Sequence, residues 1–575
     1  MFISPIDFGP RLDEYLASCR RRTSCGRAPS KDDIRQAIAS LASPNHPPYT
    51  TFETILALET RSSCAHIDLL LTGAHILPSC IRLLKQYCSD RISVSALFDY
   101  AYGYLCLQVM NLSIEVAKLA QVNALSLFLH SVERSSGGTQ DKAITKDLSI
   151  YMRKWESKEF TPQGQHLLPA NKLLGWRSDA STGLATALSR IGGFTILDMV
   201  FLMLEIWKAR GELLGCVKGA LQLPGYAGWC GIFHLMHNTL VRMHGISHTN
   251  GQEYDEADNW ITLITIIQRY ALCTNDHEDI TISYLLKNRP NNEREKPRTS
   301  AVSPADVGQI VEAYINKASQ HPTIKYAHAT RLFAFTLMNC YLDEYKFVSN
   351  FTRISEAALA DSWVQLGMMT GVGLSMWTYF TDSVISTLIV VPAFSKVFLE
   401  MRPTVLAIFV NENLLDFLGY LVSYPLTTND KMVIENRWYW QKNMLKILHQ
   451  FSPQLGEHMQ TASLERIDSI YSTWIKTAQS LQYHKVMRSN NSTHAKDYLH
   501  TWEDTWDQIG DAVGGHLAQC GYPRCPAPEQ TGDLQCSGCL SRWYCSSRCQ
   551  QADWDYHADP HRPECINTLA LEVVR

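Results

Sequence analysis

Residues 520–565 read CGYPRCPAPEQTGDLQCSGCLSRWYCSSRCQQADWDYHADPHRPEC, and this stretch holds seven of the chain's 17 cysteines. The other ten are scattered over the rest of the 575 residues, so the clustering needs a chemical cause. Written as pairs, the stretch gives Cys520-x4-Cys525, Cys536-x2-Cys539 and Cys545-x3-Cys549, then a histidine followed by Cys565. Zinc takes four sulfur or nitrogen ligands in a tetrahedron at about 2.0–2.3 Å, and two cysteines separated by two to four residues reach one ion from a single tight turn. Four pairs therefore supply two closed sites. Two wirings satisfy the spacing. In a sequential wiring the first two pairs share one ion and the last two the other; in a cross-brace the first and third pairs share an ion, and the second and fourth share the other. Spacing alone leaves both open.

Within this stretch, CSGCLSRWYCSSRCQQADW places Tyr544 just before Cys545, Gln550 just after Cys549 and Trp554 five residues past Cys549. With the eight ligand positions, these residues make the segment resemble a MYND-type zinc finger; the resemblance covers only the C-terminal tenth of the chain. It implies the cross-brace, with Cys520, Cys525, Cys545 and Cys549 on one Zn2+ and Cys536, Cys539, a histidine and Cys565 on a second. The segment departs from the family pattern twice. The first pair is spaced x4 where x2 is commoner, although Gly521 and Pro523 suit a wider turn. The end is also longer: His557 lies three residues past Trp554, where the family often has its histidine, whereas His561 keeps the family's His-x3-Cys spacing to Cys565 after an insertion carrying Pro560. We expect His561 to be the ligand and keep His557 as the alternative.

If all eight positions are filled by protein, neither ion has an open site at which to activate water, so both zincs are expected to be structural. Arg524, Arg542, Arg548 and Arg562 stand near the ligands in sequence and could offset the thiolate charge, or could be solvated. A RING module closes with a fourth Cys-x2-Cys pair that is missing here. The family's module docks short proline-containing peptides, which implies a docking surface at Gln550 and Trp554; the plainer reading makes Trp554 the mini-core of the finger. The expected function is thus that of a non-enzymatic adaptor or scaffold that recruits peptide partners in transcriptional or signalling complexes. MYND fingers also occur inserted in SET-domain lysine methyltransferases, but no NHxC-like stretch is present. A third reading makes the finger a staple for the helical body.

Outward from the finger, composition bounds the rest. Hydrophobic residues make up 46% and charged residues 19%, the balance of a folded chain too long for one domain. A net charge of -4 offers no overall field for nucleic acid, so direct nucleic-acid binding is not expected. The N-terminus MFISPIDFGPRLDEY lacks a basic start followed by an apolar run, so we expect an intracellular protein, nuclear or cytoplasmic, whose reduced thiols favour metal over disulfides. The charge-free stretch 362–381 carries Ser, Gln, Thr and three glycines, and reads as a buried helix and core segment rather than a membrane span.

Before the finger, the chain reads as helix after helix, and the expected fold class is all-α: a long helical array or bundles, with the small two-zinc finger appended. The stretch ALFDYAYGYLCLQVMNLSIEVAKL keeps apolar residues at three- and four-residue spacing without proline, and IGGFTILDMVFLMLEIWKARGELLG is apolar on most faces. Ser30 with Asp33 forms a capping-box pattern, and Ser303-Pro304 opens a further helix. Polar, Gly/Pro/Asn-rich stretches at 135–142, 248–259 and 287–304 read as loops, and Gly514-Gly515 as a helix stop before the finger. The expected regions are 1–290, 304–512 and the finger at 517–568. Weaker signals are the basic cluster Arg20, Arg21, Arg22 and Arg27, read as a solvated helix end, and His234 with His237, read as core or surface histidines. No phosphate-binding glycine loop, HExxH or GxSxG motif is present.

Overall fold

The computed structural model describes, with short gaps, residues 8–134, 192–240, 256–286, 304–368 and, within the finger, 520–526, 534–537, 542–555 and 561–565, together with a few isolated positions. Of the described residues 79% are helical, so the chain is all-α. It divides into two compact units, Met1–Lys317 with Thr323–Asp343, and Ala318–Pro322 with Glu344–Arg575.

In the first unit the organising element is α6 (Ala101–Gln121). Every residue from 101 to 119 is buried, polar ones included, as expected of a helix surrounded on all sides. α3 (Tyr49–Leu56), α4 (Leu69–Thr72) and α5 (Ile76–Ser89) pack against it, with α1 (Leu12–Arg21) and α7 (Leu125–Arg134) at its edges. The first turn of α6 needs glycine at 103, because a Cβ there would lie 2.1 Å from the Leu97 carbonyl oxygen. α2 (Lys31–Ser40), packed on α3, begins with the expected capping box: the Ser30 hydroxyl accepts from the Asp33 amide, and the Asp33 carboxylate accepts from the Ser30 amide at 2.8 Å.

The apolar run at 191–215 forms two helices, α8 (Ile196–Lys208) and α9 (Arg210–Ala220), meeting at Ala209. α8 buries Met199, Leu202, Met203 and Ile206 but leaves Leu197 and Leu204 exposed, so only one side of it belongs to the core. Both helices pack on α10 (Glu256–Ala271), and α1 packs on α9, where Arg20 donates to the Gly219 carbonyl 199 residues away. Such long-range contacts are those of a bundle; in a solenoid each repeat touches only its neighbours. The acidic run at 253–258, expected as loop, runs into the start of α10 at Glu256, where negative charge suits a helix N-terminus.

α11 (Pro304–Gln320) begins at Pro304 as expected, and α12 (Tyr326–Cys340) follows. Arg269 of α10 and Asp306 of α11 form a two-pronged ion pair at 2.5 and 2.8 Å with both side chains buried. Buried Lys317 donates to the Thr274 carbonyl at 2.6 Å. His234 and His237 are core histidines: both are buried, and His237 lies edge-on to Trp260. Burial, then the charge of Lys118 and His237, lowers the His234 pKa well below the usual histidine value, so its imidazole is neutral. Burial also raises the Glu59 pKa well above the usual carboxylate value, with the charge of Glu115 adding to it.

In the second unit α13 (Phe347–Met368) contains the start of the charge-free stretch, with Ser362 buried; the remainder of that stretch lies outside the described residues, as do the 135–142 loop, residues 287–303 and Gly514-Gly515. Among the described residues no single helix is long and apolar enough to cross a membrane; one bent pair, Cys64–Thr72 with Ile76–Ser89, passes by length and composition together. Among the described residues strand is confined to two-residue pairs. β1 (Arg177–Ser178) pairs with β2 (Ala185–Thr186), and β3 (Leu534–Gln535) pairs antiparallel with β4 (Trp543–Tyr544) in the finger, where α14 (Ser547–Trp554) follows β4.

Candidate metal centre

The finger is stitched together around β4. The Gly521 amide donates to the Trp543 carbonyl at 2.6 Å, which ties the first cysteine turn to this strand, and the Cys536 amide donates to the Arg542 carbonyl at 2.8 Å. The first turn is closed by the Cys525 amide donating to the Tyr522 carbonyl, so the x4 spacing is accommodated by a local bend. After β4 the chain turns into α14, whose N-cap Ser546 accepts from the Cys549 amide at 3.2 Å. That cap places Cys549 in the first turn of the helix, directly beside Cys545.

These connections bring together the first and third cysteine pairs. Cys520, Cys525, Cys545 and Cys549 have their Sγ atoms within 4.8 Å of one another. The separations are 3.4 Å from Cys525 to Cys545, 3.6 Å from Cys545 to Cys549 and 3.7 Å from Cys549 to Cys525. A second group gathers Cys536, His561 and Cys565, with Cys536 Sγ 3.8 Å from Cys565 Sγ and 3.4 Å from His561 Nε2. A tetrahedron with metal–sulfur bonds of about 2.3 Å has edges of about 3.8 Å, and a mixed sulfur–nitrogen edge is about 3.6 Å. The observed edges fit both donor sets to a tetrahedral ion. All described cysteines are free thiols.

The grouping is the cross-brace, one of the two wirings that spacing permits. Of the expected ligands, seven of eight are brought together. Cys539 and the alternative ligand His557 lie outside the described residues. Of the four arginines near the ligands, Arg524, Arg548 and Arg562 are exposed, whereas Arg542 is half-buried and engaged by Asp553.

The two groups share a small core of Cys520, Cys525, Cys536, Tyr544, Cys549 and Cys565, with Tyr522 and Trp554 packed against it. His561 is buried among aromatic rings, edge-on to Tyr544 at 6.3 Å and to Trp554 at 5.9 Å. Sequence reading missed Asp553, whose side chain is fully buried. Its Oδ2 accepts from Arg542 at 2.9 Å and from the Tyr544 hydroxyl at 2.8 Å. Arg542 and Tyr544 reach it together because residues two apart on an extended segment face the same way. Burial raises the Asp553 pKa, and the Tyr544 and Arg542 hydrogen bonds and His561 hold the rise back.

In the four-cysteine group the thiols differ. Burial pushes Cys520 up to about 11. Burial also acts to raise Cys545, but hydrogen bonds with Cys525, Cys549, Cys520 and Ser546 outweigh it, and its pKa is lowered. Gln550 and Trp554, four residues apart on α14, are both half-buried.

The fold and this geometry define a helical protein with a cross-braced, metal-binding finger near its C-terminus. The finger has a recognised family: residues 518–565 match the family model of the MYND finger, so the chain carries a MYND zinc finger, a domain generally involved in protein–protein interaction. No family model matches the remainder of the chain. No curated protein and no solved structure matches it.

Proposed function

We propose that this protein is a non-enzymatic adaptor whose finger is closed by two structural zinc ions and docks proline-containing peptide segments of other proteins. One zinc is held by Cys520, Cys525, Cys545 and Cys549, the other by Cys536, Cys539, His561 and Cys565. The observation that carries the docking reading is the disposition of Gln550 and Trp554. Four residues apart on α14, they are neighbours on one face of the helix, and neither is fully buried. One side of the Trp554 indole packs against the finger core and His561, which fixes its orientation. A rigid ring beside a side-chain amide suits an extended proline-rich ligand, which is already ordered before it binds and presents carbonyl acceptors. Filled tetrahedra leave no coordination position for a reactant, which is why binding rather than catalysis is the role assigned.

The test is capture of an immobilised proline-rich peptide library by the zinc-loaded full chain, followed by affinity measurement on the best ligand. Trp554→Ala should weaken that affinity by about 2 kcal/mol or more, roughly thirtyfold, as for a central aromatic anchor. Gln550→Ala, farther from the core, should weaken it with zinc content unchanged. Unaltered capture by both variants at full zinc content refutes the docking surface.

A further inference from the structure

We propose that Asp553 is the positioning residue of the histidine-containing site, its free carboxylate oxygen accepting the Nδ1–H of His561 when Nε2 holds the metal. The inference rests on the zinc assignment above and adds a residue to it. Three observations carry it. The Asp553 side chain is completely buried, yet hydrogen bonds from Arg542 and Tyr544 go to Oδ2 alone, and Oδ1 is buried with no hydrogen-bond partner. His561 turns Nε2 towards Cys536 at 3.4 Å, so its other ring nitrogen points away from the metal group. Asp553 and His561 also interact electrostatically, and the imidazole is flanked by Tyr544 and by Trp554, the residue after Asp553.

The chemistry explains why a buried acid belongs there. A histidine binds a metal through a neutral ring nitrogen, and an acceptor at the other nitrogen fixes the tautomer, orients the ring and raises its basicity. Arg542 and Tyr544 hold the carboxylate from behind, so Oδ1 is presented at a set angle. Asp553 lies four residues after Cys549 on α14, on the same side of the helix. The helix anchored by one metal group therefore positions the acceptor that serves the other.

Cobalt titration of the full chain tests this, because the visible bands of tetrahedral cobalt differ between a four-sulfur and a three-sulfur, one-nitrogen shell. Asp553→Asn should raise the cobalt concentration needed at the histidine site about 10–100-fold, while the four-cysteine site moves by less than about threefold. Tyr544→Phe keeps the carboxylate but removes one of the two bonds that hold it, and should weaken the histidine site by less than Asp553→Asn does. In a His561→Cys background there is no imidazole to orient, so adding Asp553→Asn should cost nothing further at that site. Equal weakening of both sites by Asp553→Asn, no weakening at either, or the same loss with cysteine at 561 overturns the positioning role. Failure of the wild-type chain to show two cobalt shells instead overturns the zinc assignment on which it rests.

Discussion

The cross-brace makes an integer prediction about which pairs of cysteines share a fate. Cys525 and Cys545 lie 3.4 Å apart at sulfur and belong to one group, whereas Cys536 lies with Cys565 in the other. Structural zinc in small fingers binds with about 10–16 kcal/mol, so one of four ligands accounts for roughly 3 kcal/mol, on the order of a hundredfold in affinity. Replacing one cysteine by serine should therefore empty its own site when free zinc is buffered about tenfold above the Kd of an intact site, where an intact site is about 90% filled and one weakened a hundredfold only about 10%. Cys525→Ser should leave one zinc per chain by native mass spectrometry. Adding Cys545→Ser should leave the count at one, because that site is already lost, while adding Cys536→Ser should take it to zero. A sequential wiring predicts the reverse, with Cys525→Ser/Cys536→Ser keeping one zinc and Cys525→Ser/Cys545→Ser none. That reversed pattern would refute the reading of the finger. Non-additivity of this kind is the usual signature of residues that act on one shared partner.

Three further outcomes follow from the helical unit and its relation to the finger. Asp306→Asn strips Arg269 of its buried counter-charge and should destabilise the first unit by about 3 kcal/mol in urea unfolding, whereas replacing both by apolar residues of similar size should cost far less. Glu59 carries a raised pKa in the fold, so the folded state keeps a proton that the unfolded chain releases above the ordinary carboxylate pKa; the contribution of Glu59 is whole at low pH and lost as pH rises. Glu59→Gln should consequently raise the thermal midpoint at pH 7, and the gain should shrink towards pH 4; a constant gain would contradict the burial argument. Removing residues 517–575 should leave far-UV helicity and thermal midpoint of the helical body unchanged if the finger is a docking module, and a marked fall would make it a staple.

What could be read from the sequence divides along the range of the interactions involved. Elements set by neighbours a few residues apart were legible. Ser30 and Asp33 announce their capping box three residues apart, α6 announces itself by periodicity, and the cysteine pairs announce themselves by turn-sized spacing. The joint at Ala209 was not legible, because Lys208, Ala209 and Arg210 are all good helix formers and Gly211 alone is only a weak breaker. The exposure of Leu197 and Leu204 shows why a helix apolar on most faces need not be buried on all of them. Partnerships across the fold were beyond local pattern. The Arg269–Asp306 pair depends on how α10 meets α11, and the choice between wirings depends on β4 tying the first turn to the hairpin. Asp553 carried one available signal, an acid four residues after a ligand cysteine on a short helix.

X-ray absorption at the zinc edge on the purified full chain tests the central claim most directly, because it counts the donor atoms around the ions. Two closed sites predict an averaged shell of seven sulfurs to one nitrogen, at about 2.3 and 2.0 Å, with no oxygen. An oxygen donor in that shell, or a sulfur share low enough to leave a coordination position open, would contradict the assignment of these ions as structural closures of a docking module.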